Sequence, residues 1–324
     1  MRLSVLAVLA AAALAAGCGP RGGRSAGAAA DAVREFPAVQ IPGVYTGEAE
    51  RAAYAVEHFW DRFFSGAGGM CCDSVTVCGV PRDKFEGAFS SYVVLLQTQD
   101  AVSGRKAVES LFDKVESAHR ADTASNVRGV FADMMEHYLY DPNSPYRNED
   151  LYQPYVAGLA RSPFTDPALV PSLEFDARMC ALNPVGAPAA DFRFADAAGC
   201  MRRLSDVRAD YTLLVFSNPG CKACGDFLAD MAGVGYYRDR IASGSLAVVT
   251  VYIDEDLDEW RRHLGDYPDI WINGYDPDYA IRRDLLYNIR GIPSLYLLDR
   301  DRRVIMKDAP TERVMSFLAS IGRE

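Results

Sequence analysis

The spacing of apolar residues divides this chain into a helical part and a part that mixes strands with helices. Between residues 36 and 183, apolar side chains recur every three or four positions, most clearly along 82–99, which is typical of amphipathic helices. From residue 184 onward, short β-branched and apolar runs alternate with amphipathic segments, a pattern that indicates an α/β unit. The turn-favouring stretch Asn183-Pro184-Val185-Gly186 separates the two patterns.

The second pattern predicts an α/β domain at 184–324, a central mixed sheet flanked by helices, and the first predicts an all-α helical domain at 36–183. The predicted elements of the α/β domain are, in order, a strand at 211–217, a helix at 221–241, strands at 246–254, 294–299 and 303–307, and a closing helix at 311–321.

Length and composition agree with two soluble domains. The chain has 324 residues, of which 49% are hydrophobic and 24% charged, a balance typical of globular proteins. Its net charge is −10, and phosphate contacts need clustered Lys and Arg. Nucleic acid is therefore not an expected partner.

The N-terminus predicts export. Met1-Arg2 is followed by an apolar run over 3–16, which ends in Leu14-Ala15-Ala16-Gly17-Cys18. Small residues just before a cysteine resemble the lipobox of bacterial lipoproteins. This resemblance implies a signal peptide at 1–17 and an acylated Cys18 that anchors the protein to a bilayer. The alternative is an ordinary signal peptide that is cleaved near Ala16.

Residues 18–35 predict a flexible tether, since they are rich in Gly, Ala and Arg. By the lipoprotein sorting rule, an Asp directly after the acylated cysteine retains the protein in the inner membrane. Gly19 occupies this position and favours the outer membrane. We therefore expect a lipid-anchored protein of the cell envelope that faces the periplasm.

The motif Cys221-Lys222-Ala223-Cys224 follows a predicted strand and opens a predicted helix. Unpaired backbone N–H groups and the helix dipole stabilise a thiolate at such an N-terminus, and they lower a cysteine pKa well below its ordinary value of about 8.5. Cys221 is therefore the predicted nucleophile, and Lys222 is expected to lower its pKa further. Cys224, one turn into the helix, is the predicted resolving thiol.

Other interpretations of this motif are half of a zinc site and an inert structural disulfide. No second C-x-x-C pair with zinc-ribbon spacing exists, and the chain has four histidines, so we predict no metal site. The position between a strand and a helix favours redox chemistry.

A second motif, Gly291-Ile292-Pro293-Ser294, opens the next strand. It resembles the cis-proline loop of thioredoxins, which lies beside the active disulfide. The resemblance implies that Ile292 and Pro293 bind substrate, with the Ile292 backbone pairing with a client chain. The alternative is a trans proline that merely starts a strand.

Together these residues resemble the thioredoxin superfamily, in particular its membrane-tethered periplasmic TlpA/ResA-type branch, whose extra segment is similar to 254–293. The chain is also similar to a lipoprotein family with an N-terminal domain of unknown function. The matching stretches are Glu57-His58-Phe59-Trp60-Asp61, Asp141-Pro142-Asn143-Ser144-Pro145-Tyr146 and Asn218-Pro219-Gly220-Cys221-Lys222-Ala223-Cys224. The resemblance covers nearly everything after the tether and implies a thioredoxin-like fold for 184–324.

The chain departs from the thioredoxin pattern at two informative positions. Gly220 stands where thioredoxins have a tryptophan, and Val215 stands where many have a buried acid. Without that acid, another group must accept the proton of Cys224.

The remaining cysteines leave their pairing open. Cys71, Cys72 and Cys78 lie in a Gly-rich turn, where a local disulfide such as Cys72–Cys78 is expected, and a metal site or a relay to Cys221 is the alternative. Cys180 and Cys200 flank the domain junction and are candidates to staple it.

The leading hypothesis is an exported thiol–disulfide oxidoreductase that reduces or isomerises the disulfides of client proteins and is re-reduced by a membrane electron donor. No bound cofactor is implied, because the thiols carry the electrons. The helical domain would position or recruit clients. The alternatives are a dithiol oxidant and a non-catalytic envelope binding lipoprotein that uses the α/β domain as a scaffold.

Overall fold

The computed structural model describes residues 33–66, 75–233 and 235–321. The predicted signal peptide, Cys18 and the tether up to residue 32 lie outside the described residues, as do Cys71 and Cys72. The predicted Cys72–Cys78 disulfide therefore stays a prediction.

The helical domain packs its helices around an aromatic core. Its helices are α1 (Glu48–His58), α2 (Asp61–Ser65), α3 (Arg82–Leu96), α4 (Ala101–Ala121), α5 (Val127–Met135), α6 (Glu149–Arg161) and α7 (Val170–Cys180), with a π-helical turn at Glu136–Tyr140. Trp60 is 2% exposed and lies at its centre, with the Phe131 ring 4.9 Å away and the Tyr92 ring 5.5 Å away. Such tilted and edge-on ring pairs add to the free energy of burial.

One short hairpin interrupts the helices and corrects the all-α prediction. β1 (Thr76–Val77) and β2 (Val80–Pro81) pair in antiparallel fashion. The two residues between them, Cys78 and Gly79, have φ angles of +47° and +78°, which is typical of the primed turns that close two-residue hairpins. These strands are too short to produce a recognisable alternation in the sequence.

The α/β domain confirms the predicted mixed sheet with flanking helices. Its strands are β3 (Arg193–Asp196), β4 (Met201–Arg203), β5 (Tyr211–Ser217), β6 (Leu246–Tyr252), β7 (Ile272–Tyr275), β8 (Ser294–Asp299) and β9 (Val304–Met306), in the sheet order β4-β3-β7-β6-β5-β8-β9. Its helices are α8 (Lys222–Gly233), α9 (Gly235–Ala242), α10 (Leu257–Arg262), α11 (Ala280–Arg283) and α12 (Thr311–Ser320). β5 is central, parallel to β6 and antiparallel to β8.

Both faces of β5 are buried, which explains its unbroken apolar sequence. Leu213 and Val215 point into the core beneath α8 and α12, whereas Leu214 and Phe216 point into the opposite core. The prediction missed β3, β4 and β7. β4 is fully exposed, and strands of three or four residues leave little periodic signal.

The two domains meet through buried charges. Glu149, at the start of α6, is 1% exposed and pairs with Arg290 at 2.9 Å and with Lys307 at 3.1 Å. Asn288 donates a further hydrogen bond to Glu149 at 2.7 Å. Moving the domains apart would separate these buried partners and leave uncompensated charges, which is costly. The network therefore holds the helical domain in a defined position on the sheet.

Candidate active site

The end of β5 and the start of α8 hold the two cysteines in place. β5 ends at the buried Ser217, and a short turn through Gly220 leads to Cys221. Gly220 has a φ of +76°, a left-handed conformation that glycine adopts at little cost, so the turn favours glycine where thioredoxins have tryptophan. The Asn218 amide donates to the Asp254 carboxylate at 2.8 Å and ties this turn to the end of β6.

Cys221 caps the N-terminus of α8. Its carbonyl accepts the first helical hydrogen bond from the Gly225 N–H at 3.0 Å, and its Sγ accepts from the Cys224 N–H at 3.3 Å. The sulfur thus occupies the place of the side-chain oxygen in an ordinary N-cap, which accepts from the third N–H of the helix. A negative charge on this sulfur would be favoured by that N–H and by the helix dipole.

Cys224 lies behind Cys221 and differs from it in exposure. Cys221 is half-buried, whereas Cys224 is 3% exposed. Burial, together with the neighbouring Cys221 sulfur, raises the pKa of Cys224 to about 12, because a thiolate there would lose its hydration. Cys224 is therefore a protonated thiol at neutral pH, held next to the more accessible one.

The predicted cis-proline motif at 291–294 lies beside the cysteine motif at 221–224. The Ile292–Pro293 peptide bond is cis, as the resemblance implies, and the Cys221 thiol donates to the Ile292 carbonyl at 3.5 Å. The fold thus brings Cys221, Cys224, Ile292 and Pro293 together. Their roles toward a substrate stay predictions.

Lys222 lies differently from its predicted role. Its side chain is 88% exposed, and its ammonium pairs with the Asp226 carboxylate at 2.6 Å, four residues along α8. A solvated and paired charge has a weak effect on a neighbour, because water screens it. The predicted influence of Lys222 on Cys221 stays a prediction.

Sequence reasoning missed the groups beside the cysteine pair. Val215 is buried in β5, so no acid stands where many thioredoxins have one. Tyr267 lies close to Cys224 instead, and its side chain interacts with Ser217. Burial raises the pKa of Tyr267, nearby thiolate charge would raise it further, and Ser217 offsets part of the rise. Ser217 is the last residue of the predicted strand at 211–217, and the sequence singled out neither Ser217 nor Tyr267.

Tyr267 and the two cysteines line a groove of about 370 Å³, which we call the thiol groove. Its lining includes Asn218, Cys221, Cys224, Leu228, His263, Asp266 and Tyr267. His263 pairs with Asp266 at 2.8 Å and with Glu259 at 3.2 Å, and the hydrogen bond to Asp266 raises the pKa of this imidazole. The thiol groove therefore has titratable groups along its rim.

Cys180 and Cys200 do not staple the domain junction, which corrects the prediction. Both are free thiols. The Cys180 carbonyl accepts from Lys307, just past the edge strand β9, whereas Cys200 lies in the turn before β4 at the opposite edge. Six strand spacings of about 4.8 Å, or roughly 29 Å, separate the edges, and a disulfide needs Cα atoms about 4.4–6.8 Å apart.

The described residues form neither a metal-binding cluster nor a membrane-spanning helix. Within 33–66, 75–233 and 235–321, no group of three or more His, Cys, Asp or Glu side chains is arranged to hold a metal ion. In the same ranges, no helix has both the length and the apolar character required to cross a bilayer.

The C-x-x-C lies at a strand-to-helix turn with a cis proline beside it. This arrangement, on this sheet, defines the class of thioredoxin-like proteins. Family models agree with the assignment. Residues 21–169 match a domain of unknown function, DUF5106, and residues 209–304 match a thioredoxin-like model, Thioredoxin_8. A comparison with curated proteins gave no match.

Solved structures include one that is similar over nearly the whole chain. A thioredoxin-like protein from Bacteroides caccae is 30% identical, with a TM-score of 0.75 over 89% of this chain and 99% of that one. The C-terminal domain of an uncharacterized protein from Bacteroides fragilis is 38% identical over 42% of this chain and 98% of its own, with a TM-score of 0.41. A domain of a possible thiol-disulfide isomerase from Cytophaga hutchinsonii is 25% identical over 44% of this chain and 96% of its own, with a TM-score of 0.37.

The chain therefore belongs to the thioredoxin-like family, with a DUF5106 domain in front of its thioredoxin-like domain. The predicted resemblance to thioredoxin-like proteins with an N-terminal helical domain of unknown function is confirmed.

Proposed function

We propose that this protein is an exported, lipid-anchored thiol–disulfide oxidoreductase that reduces or isomerises the disulfides of client proteins. The observation that carries the proposal is the asymmetry of the cysteine pair. The Cys221 sulfur is accessible and accepts a hydrogen bond from the Cys224 N–H, whereas the Cys224 thiol is buried and its pKa is raised to about 12. Cys221 is therefore placed to attack a client disulfide, and Cys224 stays protonated until the second step.

The chemistry that follows is a two-step exchange. The Cys221 thiolate attacks one sulfur of a client disulfide, the client S–S bond breaks, and the second client sulfur leaves as a thiolate that takes up a proton. Cys224 then loses its proton and attacks the Cys221 sulfur in the mixed disulfide. The Cys221–Cys224 disulfide forms, the client leaves with both sulfurs reduced, and two electrons have passed to it.

The second step needs a proton acceptor near Cys224. Tyr267 lies close to Cys224 and interacts with Ser217, and in this proposal the Tyr267 hydroxyl orders a water that accepts the proton. In isomerisation, a client thiol attacks the mixed disulfide before Cys224 does, so no net oxidation of the protein occurs. A membrane electron donor would return the oxidised pair to the dithiol.

Export and anchoring rest on the N-terminal sequence. Leu14 to Cys18 resembles the lipobox, with Ala15 where Leu is commonest, and an acylated Cys18 would anchor the folded domains to the membrane through the tether at 18–35. Labelling with a radioactive fatty acid in cells should mark the wild-type protein and leave Cys18→Ser unmarked. An unlabelled wild-type protein that is recovered in the soluble periplasmic fraction would contradict the anchor.

Insulin reduction tests the enzymatic proposal. Wild-type protein should reduce insulin with a dithiol donor, Cys221→Ser should be inactive, and Cys224→Ser should accumulate a mixed disulfide that identifies the client. Equal and negligible rates for the wild type and Cys221→Ser would instead support a scaffold.

The equilibrium potential against glutathione separates reduction from oxidation of clients. A value of about −270 mV supports the reductase, and one of about −120 mV supports an oxidant.

A further inference from the structure

The loop at 141–147 of the helical domain lies near the cysteine turn, at a groove that shares no lining residue with the thiol groove. Together with the thioredoxin-like domain it encloses a groove of about 380 Å³, which we call the interdomain groove. Residues of the loop, of the cysteine turn, of the cis-proline loop and of the start of α12 line it. Among them are Asn143, Arg147, Ala223, Ile292, Thr311 and Glu312.

The loop approaches the cis-proline loop very closely. A Cβ built on Gly291 would lie 3.2 Å from the Pro142 Cβ, which is closer than ordinary van der Waals contact. Gly291 therefore lets the helical domain reach the residue next to Ile292. Ala223, between the two cysteines, is exposed and lines the same groove, so the groove opens directly onto the reactive turn.

Both ends of this loop are bound to the thioredoxin-like domain. On one side, the Arg290 guanidinium donates to the Tyr140 carbonyl and stacks 3.9 Å from the centre of the Tyr140 ring. On the other side, Arg147 donates to the carbonyls of Asp308 at 2.9 Å and Ala309 at 3.1 Å. Arginine is suited to such contacts, since its planar group donates several hydrogen bonds at once.

The loop is also held from within the helical domain. The buried Ser144 hydroxyl donates to the Tyr138 carbonyl at 2.6 Å, and the Gln97 amide donates to the Tyr146 carbonyl at 2.7 Å. Asn143 donates its backbone N–H to Asp141 at 2.8 Å. A loop with this many fixed contacts is preorganised, and preorganised surfaces bind ligands at a lower entropic cost than flexible ones do.

We infer that the 141–147 loop is the second wall of the client site, and that the interdomain groove takes one extended polypeptide segment next to the client's cystine. The inference rests on the proposed function. In the described part of the chain, the Ile292 N–H donates no hydrogen bond, so it is available for β-type pairing with an extended chain. A groove with walls on both sides admits a single strand, whereas a broad folded surface would collide with Pro142 and Pro145, which are both exposed.

The charges of the lining indicate which segments fit best. Arg147 and Asp308 are engaged with each other and with the backbone, whereas Glu312 is exposed in the first turn of α12. The groove therefore has an exposed carboxylate at its rim, whose charge also acts on Arg147. It should favour client segments with basic side chains over acidic ones by about two- to fivefold, the effect of an exposed charge pair.

Filling the groove tests the inference. The probes are a peptide dimer joined by a disulfide, with lysines beside each cysteine, and bis(2-hydroxyethyl) disulfide, which is too small to use the groove. In Asn143→Trp, the ratio of kcat/KM for the peptide to kcat/KM for the small disulfide should fall about tenfold, which corresponds to about 1.4 kcal/mol of lost binding. Thr311→Trp enters from the opposite wall and should lower the ratio as well.

The control is Ser172→Trp, which adds the same bulk at an exposed position of α7 and should leave the ratio unchanged. With glutamates in place of the lysines, the peptide should react more slowly, and Glu312→Gln should remove the difference. If the wild type reduces both probes and the ratio is unchanged in both Asn143→Trp and Thr311→Trp, the inference is overturned. A wild type that reduces neither probe would overturn the proposed function instead.

Discussion

The two grooves beside the Cys221–Cys224 turn are similar in size and differ in origin. The thiol groove lies within the thioredoxin-like domain and has Tyr267, His263 and Asp266 along it. The interdomain groove requires both domains, and its charged lining residues Arg147 and Asp308 are engaged in holding the domains together. The cysteine turn thus contributes its two sulfurs to a groove with titratable groups, and Ala223 to a groove with a fixed wall.

This difference separates chemistry from recognition. Groups that titrate near a sulfur can change its protonation and therefore its reactivity. A rigid wall leaves the reactivity of the sulfur unchanged and selects which clients reach it. Four substitutions distinguish these contributions.

The largest effect is expected from Arg290→Met, which breaks the attachment of the interdomain wall. Arg290 pairs with Glu149, whose side chain is 1% exposed, and removing it leaves a buried carboxylate with Lys307 as its remaining cation. The free energy of unfolding should fall by about 3 kcal/mol, as measured by urea denaturation. In Arg300→Met, the loss of the exposed pair with Asp210 should cost less than about 1 kcal/mol. Similar losses in the two variants would contradict the importance of the buried network.

Asp308→Asn should change how stability depends on pH. Burial, reinforced by the Glu149 charge, raises the pKa of Asp308 to about 6. The folded state then binds more protons than the unfolded state between about pH 4 and 6, so Asp308 contributes stability below pH 4 that is lost as the pH rises through 6. The loss is at most about 3 kcal/mol.

The measurement is urea denaturation of the wild type and Asp308→Asn at pH 4 and pH 7. The wild-type stability should decrease more than that of the variant over this interval. Ser294 donates to Asp308 at 2.7 Å, so Ser294→Ala serves as a control that removes this contact and keeps the titrating carboxyl. Parallel pH profiles for the wild type and Asp308→Asn would show that this carboxyl does not titrate in the window.

A smaller effect is expected in the thiol groove from Tyr267→Phe. Removing the hydroxyl makes the surroundings of Cys224 less polar, which disfavours its thiolate further. Resolution of the mixed disulfide should therefore slow by about two- to tenfold, the range of one neutral hydrogen bond, in stopped-flow experiments that start from a Cys221-linked peptide. Tyr211→Phe, at the other end of β5, should resolve at the wild-type rate. An unchanged rate in Tyr267→Phe would exclude this residue from the second step.

The smallest effect is expected from Lys222→Gln. The ammonium is 88% exposed and paired with Asp226, so its field at Cys221 is screened. The rate of Cys221 alkylation by iodoacetamide at pH 7 should change by less than about twofold. A much larger decrease would restore the role in lowering the Cys221 pKa that the sequence suggested.

Most of the thioredoxin-like fold was predictable from local patterns. Tyr211–Ser217 and Ser294–Asp299 coincide with the predicted strands, because a central strand that is buried on both faces is continuously apolar. The β3–β4 hairpin was missed, since it is short and β4 is exposed. Its place at the sheet edge depends on pairing with β7, whose sequence lies about 80 residues later.

In the candidate site, too, some residues were predictable from local sequence and others were not. Cys221 and Cys224 were predictable because the strand end and the helix start that hold them are encoded within a few residues of the pair. Tyr267 was not, since it approaches the cysteines only after β6 and α10 have placed it there. The predicted Cys180–Cys200 staple was wrong, because nearness to the domain junction along the chain says nothing about which edge of the sheet each residue reaches.

The sequence by itself determined the periodicities, the C-x-x-C at a helix start and the proline loop, all of which are short-range properties of the chain. Only the tertiary structure decided that the 141–147 loop lies against Gly291, that Glu149 is neutralised by Arg290 and Lys307, and that a second groove opens beside Ala223. Each of these joins residues more than 75 positions apart in the sequence or depends on such a contact. Contacts of that kind arise from packing two domains together, which no local pattern encodes.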